Sequence, residues 1–445
     1  MLFNTIQFFV FLAVVLTLFY LLRWPARKYL LLLASYYFYA SWNWKFIPLL
    51  LSLTIIDYTA GRWIERLRKR WVLIASLCAN IGFLAVFKYA NFVGATLAWL
   101  LGRDPKSFWL NIVLPIGISF HTFQSMSYVI DVYRGDQKAI RSPLDYALFI
   151  CFFPQLVSGP IVRARRFFRD LFDWHKPTEL DVSEGLLNLV LGLTKKMAFA
   201  DQFAKVADTY FGNLAAHPGW LPAWTGVLAF GLQIYFDFSG YTDMAIGMAR
   251  LFGFHFPVNF RRPYLALSIT DFWRRWHISL SQWLRDYLWY PLGANRHGPL
   301  KTFRNLMVTM LIGGLWHGAR WNFVAWGGYH GLLLSLERLF PLGPFTFIAA
   351  NIGWVFFRAT NMTDSFHILG QMLHARKGLP IATNTHYFLA LLPLVLALIE
   401  EKFSLFDRLV RGPVWAYATA MALMLFTLEL FAVFDVTIPF VYFQF

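Results

Sequence analysis

The sequence predicts an all-α polytopic membrane protein, and three observations carry that prediction. Apolar residues make up 58% of the 445 residues and charged residues only 14%, whereas a soluble domain is nearer about half apolar and about a quarter charged. The apolar residues gather in runs close to the roughly 20 residues that a bilayer-spanning helix needs, without the apolar-out, polar-in alternation of an outer-membrane barrel. The basic residues stand in short clusters between those runs, as the positive-inside rule requires of cytoplasmic loops. That distribution accounts for the net charge of +16 with no nucleic-acid partner. Cys78 and Cys151 both lie in apolar segments. They read as buried hydrophobes, with neither disulfide-framework nor metal-ligand spacing.

Taken in order, residues 6–22 form a retained first span, since no basic leader and no small-residue cleavage pattern flanks them. Arg23, Arg27 and Lys28 mark its cytoplasmic end and put the N-terminus outside. Spans follow at 29–41 and 47–61, the latter with Asp57 set to pair with Arg62 or a neighbour, and the basic run Arg62 to Arg70 is again cytoplasmic. Residues 71–101 are one long or two short spans interrupted by Lys88. The span 111–132 carries Pro115, Gly117, His121, Gln124, Ser125 and Ser127, polar groups that must face inward. The span 143–161 precedes a basic and then polar stretch, from Arg163 to Glu184, that reads as an amphipathic surface segment. Spans at 185–204 and 222–252 come next. Asp237 and Asp243 in the second are hard to leave unpaired in lipid and should point into the core. Further apolar segments at 305–317, 321–340, 345–358, 385–400 and 413–434 follow, and the whole reads as about eleven spans plus re-entrant pieces, in a single membrane-embedded domain over residues 1–445. Asp435 and Pro439 should end the last helix, leaving an aromatic tail, 435–445, that is costly in water and should dock in protein or membrane.

Two runs stand apart from this lipid-adapted background: Asp271-Phe272-Trp273-Arg274-Arg275-Trp276-His277-Ile278-Ser279-Leu280-Ser281 and Gly313-Gly314-Leu315-Trp316-His317-Gly318-Ala319-Arg320. Ionisable residues at membrane depth face a cavity or pathway and carry function by default. On one continuous helix Trp273, His277 and Ser281 would share a face and Asp271 would pair with Arg275. Such a charged segment is expected to be re-entrant or internally buried. Trp273 and Trp316 read as walls of the site. Arg274 and Arg275 could pair with acids such as Asp237 or face a donor phosphate.

The chain lacks a His-Glu-x-x-His pair, a Gly-x-Ser-x-Gly elbow and a P-loop, so the motifs call for no metal. Histidine as general base or hydrogen-bond donor remains. Acyl transfer from a thioester suits that equipment, because the thiol leaves readily and only the incoming hydroxyl needs its proton removed.

The runs Asp271 to Leu284 and Gly313 to Trp326, with Pro115 to Phe120 and Phe153 to Ile161, resemble the membrane-bound O-acyltransferase (MBOAT) family over essentially the whole chain. The likeness is to its bacterial branch, which serves alginate and peptidoglycan O-acetylation and teichoic-acid D-alanylation. The resemblance implies a helical bundle around a central tunnel. It implies catalysis by His317 with His277 as second site residue, and a lining that takes in Trp273, Arg274, Ser281, Trp316, Gln124 and Asn322. It implies acetyl-CoA as a donor substrate, with no permanently bound cofactor. The acetyl group would cross a bacterial inner membrane towards an extracytoplasmic polysaccharide, through a soluble SGNH-hydrolase-like partner. Arg296, Lys301 and Arg304 could attract the donor phosphates, or could simply obey the positive-inside rule. The ending Phe440 to Phe445 resembles the aromatic terminal motif of this branch, so Tyr442 is a candidate acyl carrier, with an interfacial anchor as the alternative. His277 and His121 each have a structural alternative as satisfied buried histidines. Two competing functions stand: D-alanyl or other acyl transfer on the same fold, and a polysaccharide export component without covalent chemistry. The second would favour paired halves with matching broken helices, and no such repeat is present.

Overall fold

The protein is described here by a computed structural model that covers residues 1–157, 159–433 and 438–443. The described residues are helical or irregular, with no strand among them. Asp435, Gln444 and Phe445 of the tail lie outside them.

The chain divides into two compact units, one of residues 1–186 and 245–257, the other of 187–244 and 258–445. In the first unit, α1 (Ile6–Leu21), α2 (Trp24–Asn43) and α3 (Ile47–Leu67) lead into α4, Arg70–Leu100. The last is a 31-residue helix long and apolar enough to cross a membrane. Its interruption at Lys88 is a π-helical turn, Ala85–Tyr89, and not a break. Then come α5 (Ile118–Arg134), α6 (Pro143–Cys151) and α7 (Ala164–Phe172). Two expected spans are shorter than the apolar runs suggested. Residues 111–117 stay outside α5, which starts behind Gly117 at φ +75°. After Cys151 the chain makes only one further turn, Phe153–Leu156.

Asp57 does not pair with Arg62. It is fully buried and accepts hydrogen bonds from Ser76 Oγ at 2.6 Å and Asn80 Nδ2 at 2.8 Å, so neutral donors from α4 pin α3 in place of a cation. Gly61 lets the same helix approach α5, since a Cβ there would stand 2.7 Å from the Tyr128 ring. An aromatic core of Phe149, Phe152, Phe167 and Phe254 completes this unit, with ring separations of 4.9–5.6 Å between successive members.

The second unit takes up the chain within α8 (Glu179–Thr194), which opens into a π-helical turn, Lys195–Ala200, before α9 (Asp201–Gly212). The 32-residue α10 (Trp220–Leu251) follows. Asp243 pairs with Lys195 at 2.5 Å and Asp237 with Lys196 at 2.8 Å, so both carboxylates face protein, as membrane cost demanded. Next are two short helices, α11 (Ile269–Arg275) and α12 (Ile278–Leu284). Helices α13 (Pro299–His317) and α14 (Trp321–Leu336) form a close hairpin. A Cβ on Gly314 would collide with the Phe323 carbonyl and one on Gly327 with the Met310 carbonyl, the small-residue contact through which apolar helices approach. The unit ends with α15 (Thr346–Arg358), α16 (Met362–Met372), α17 (Asn384–Phe403) and α18 (Val414–Phe431). Helix α18 is also long and apolar enough to span a membrane.

One sequence expectation fails here in an informative way. The run around His277 is not a continuous helix. Trp276 is extended and His277 sits at φ +43°. Two backbone hydrogen bonds replace the helical ones, Arg261 N to Arg275 O and Ile278 N to Asn259 O, both 2.9 Å. Ser281 is therefore brought to Trp276 and not to Trp273, its hydroxyl meeting the Trp276 carbonyl at 3.3 Å. Arg275 does reach Asp271 at 2.8 Å, and it also holds Glu401 of α17 at 2.9 Å. Asp237 is committed to Lys196, so it is not the arginines' partner.

Candidate active site

Both organising histidines lie in the second unit and both are buried, His277 fully and His317 to 4% exposure. His317 is the last residue of α13, at the point where Gly318 turns the chain into the hairpin loop. Its ring is surrounded by aromatic rings: Trp316 at 4.9 Å, Trp326 at 5.0 Å, Phe357 at 5.3 Å and Tyr442 at 5.6 Å between centroids. His277 packs edge-on against Phe238 of α10 at 4.7 Å and meets Trp316 at 5.9 Å. Trp316 thus lies between the two imidazoles. Phe238 closes the circuit, because it also touches Tyr442 at 4.3 Å. One aromatic enclosure therefore brings together His277, His317, Trp316 and the tail's Tyr442.

The tautomer of His277 follows from its neighbours. Asn259 Oδ1 receives the Ser279 backbone N–H at 3.0 Å and the Ser279 hydroxyl at 2.9 Å. A backbone N–H only donates, so the Asn259 atom it meets is the oxygen. The contact of that oxygen with His277 Nδ1 at 3.2 Å then requires Nδ1 to carry the proton, which leaves the lone pair on Nε2. The structural partner of His277 is thus Asn259, not Asp271. The bond orients the ring as a supporting residue orients a catalytic imidazole.

Other expected lining residues lie elsewhere. Trp273 borders the enclosure from the far side of Trp326, at 5.6 Å from it. Asn322 is buried and ties α14 to the following helices through the Ala359 carbonyl, 3.3 Å, and Ser365 Oγ, 3.1 Å. Arg274 is exposed. Gln124 belongs to the first unit, where it donates to the Phe149 carbonyl at 2.7 Å. Arg296, Lys301 and Arg304 are exposed along the connector into α13, and the Arg304 guanidinium folds onto Asn305 Oδ1 at 2.8 Å. His121, also buried, lies in the first unit.

The structure adds residues that the sequence reading missed. Phe238, Phe357 and Asn259 carry no chemistry that would single them out. His330 does. It is fully buried on α14, one turn beyond Trp326, and its ring lies 4.9 Å from Trp326 and 5.1 Å from Trp273. It is a histidine in an apolar helix, and the criterion that selected His277 and His317 selects it as well.

Two lysine–carboxylate pairs stand in apolar helices of the unit that holds the buried histidine pair, an arrangement suited to chemistry at membrane depth. The sequence pattern of the membrane-bound O-acyltransferase family matches residues 73–349. The chain is 44% identical over 391 residues to a probable alginate O-acetylase AlgI of Pseudomonas putida, covering 83% of this chain and 79% of that protein. It is 38% identical to a peptidoglycan O-acetyltransferase of Helicobacter pylori, covering 84% and 80%. It is 31% identical to a teichoic acid D-alanyltransferase of Bacillus subtilis, covering 58% and 72%. The chain belongs to the membrane-bound O-acyltransferase family and is an acyltransferase.

Proposed function

We propose that this protein moves an acetyl group from cytoplasmic acetyl-CoA towards O-acetylation of an extracytoplasmic polysaccharide. It does so as a multi-pass protein of a bacterial inner membrane, in a bundle of about eleven spans around a tunnel. The relatives named for alginate and peptidoglycan O-acetylation support this choice of group and acceptor over D-alanine. The observation that carries the chemistry is the packing of Tyr442 against His317 at 5.6 Å inside a closed aromatic wall.

In this reading His317 takes the proton of an attacking hydroxyl. The oxygen adds to the acetyl carbonyl carbon, the C–S bond breaks, and the proton passes to the leaving thiolate to give free CoA. His277, with its lone pair on Nε2, orients or polarises the reacting groups. Tyr442 is the hydroxyl that attacks first. Its Oη has no hydrogen-bond partner among the described residues, and since burial lifts the phenol above its usual range, His317 must take the proton as the new bond forms. The resulting phenyl ester stays activated for a second transfer, to a soluble SGNH-hydrolase-like partner and from it to the polymer. Arg296, Lys301 and Arg304, exposed and basic, attract the donor phosphates.

The test is to incubate the purified protein in nanodiscs with radiolabelled acetyl-CoA and to follow both CoA release and label retained on the chain. His317→Ala should abolish CoA release. Tyr442→Phe should abolish retained label. CoA release unaffected by His317→Ala sinks the catalytic assignment, and label undiminished in Tyr442→Phe sinks the carrier. No release from intact protein supplied with partner and polymer would favour another donor or an export role.

A further inference from the structure

Lys196 is a lysine with 1% exposure in the wide turn between α8 and α9. Its ammonium lies 2.8 Å from Asp201 and 2.8 Å from Asp237, themselves 3% and 1% exposed. The wide turn makes this possible, because the Asp201 N–H donates to the Lys196 carbonyl five residues back, so the two side chains come round to one face. π-helical turns of this sort recur at functional sites. Two of these three side chains meet the C-terminal segment. Lys196 Nζ donates to the Ile438 carbonyl at 3.1 Å, and Asp237 accepts the Val441 N–H at 2.6 Å. Tail residue Phe440 is fully buried against Phe238 and Tyr241, at 5.8 and 4.4 Å.

A purely structural ion pair would need one carboxylate. Asp201, on the same stretch of chain, already neutralises Lys196. A second buried carboxylate is more than the neutralisation of Lys196 requires, and its burial costs free energy. What Asp237 adds is the bond to Val441, the residue before Tyr442. On α10, Asp237 thus stands next to Phe238, the ring that touches both Tyr442 and His277.

We infer that Lys196, Asp201 and Asp237 form a charged clamp on the backbone of residues 438–441, and that Lys196 and Asp237 are positioning residues that fix Tyr442 against His317. The inference rests on the acyl-transfer reading for its purpose and on the hydrogen bonds for its existence. The tail is then a built-in part of the site, held at two points three residues apart. An interfacial anchor would need neither bond.

Hydrogen exchange on the full-length protein in nanodiscs tests the clamp, with Lys196→Met and with Asp237→Leu, which removes the acceptor of the Val441 N–H at similar volume. Exchange of the amides at 438–443 should quicken at least about tenfold in each variant while α10 changes by no more than about twofold. CoA release supplies the second arm. If Lys196 acts by positioning Tyr442, then Lys196→Met lowers kcat for CoA release and leaves the KM for acetyl-CoA unchanged within about twofold. Unchanged tail protection overturns the inference. So does a loss of protection shared equally by α10, or a turnover cost that falls on KM with kcat intact. Should Lys196→Met fail to fold, Asp237→Leu decides alone. Should the unmodified protein show no turnover of acetyl-CoA, the acetyl-CoA reading falls, and the exchange arm still decides whether the clamp exists.

Discussion

Replacement of Asn259 by alanine isolates the device that holds His277. The Asn259 oxygen gathers three contacts, from Ser279 N–H, Ser279 Oγ and His277 Nδ1, at 3.0, 2.9 and 3.2 Å. Asn259 and His277 are 1% and 0% exposed, so water does not readily replace the lost acceptor. At about 1 kcal/mol net for each bond, the substitution removes about 3 kcal/mol, with any buried donor left without an acceptor adding to that. A second effect falls on chemistry. His277 occupies φ +43°, a conformation that a residue with a Cβ adopts at a cost of order 1–2 kcal/mol. Without the Asn259 acceptor nothing in this trio selects the Nδ1–H tautomer. CoA release per folded molecule should fall about 10- to 100-fold, the usual scale for loss of a residue that orients an imidazole. Asn259→Asp keeps an acceptor oxygen and should retain more turnover than Asn259→Ala. The assay is thermal unfolding in nanodiscs beside CoA release at saturating donor. An Asn259→Ala protein with the natural midpoint and natural turnover would refute both the tautomer and the orienting role.

Two further perturbations follow from the packing and the charge pattern. Gly314→Ala places a Cβ against the Phe323 carbonyl, so the α13–α14 hairpin must open. A cost of about 1–3 kcal/mol is expected, together with displacement of His317 three residues on, read as lowered folded yield and lowered CoA release. In the first unit, the loop residue His255 bonds to Asp170 through its backbone N–H at 2.8 Å and approaches Asp181 with Nε2 at 3.2 Å. The Asp170 carboxylate, 3.6 Å from Nδ1, holds the imidazole above the usual range, partial burial pulling the other way. A raised folded pKa stabilises fully below the unfolded value, and the contribution is lost as pH rises through the folded value. The midpoint difference between the natural protein and His255→Gln should therefore be larger near about pH 6 than near about pH 8. Equal differences at both would remove the ion pair from the account.

The sequence made the two catalytic candidates legible because a histidine is conspicuous in apolar helix, and the structure unites them around Trp316. The same logic was available for His330 and for the adjacent Lys195 and Lys196, which stand within an apolar run opposite Asp237 and Asp243. Pairing those acids with arginines of the 271–281 run was the natural error, since sequence shows which charges need partners but not which helices meet. The break at Trp276–His277 was hidden for a related reason. Local periodicity favoured a helix through Ser281, and the decision lay with Asn259, a residue 18 positions away in sequence from His277 that satisfies the freed groups. Phe238 and Phe357 gave no signal at all among 47 phenylalanines. Their importance is purely one of position.

The proposed chemistry explains why rings and buried charges occur together here. An acetyl thioester or phenyl ester held beside a basic imidazole would be hydrolysed if water shared the site, and a wall of Trp316, Trp326, Phe357 and Phe238 excludes it. The same wall deprives any backbone that enters it of hydrogen bonds, and an extended tail lacks the internal bonds of a helix. A tail that carries Tyr442 into such a place therefore needs its own donors and acceptors. Lys196 and Asp237 supply one of each, to Ile438 and Val441. In the proposed chemistry the cost of burying these ions is the consequence of holding Tyr442 among the rings around His317.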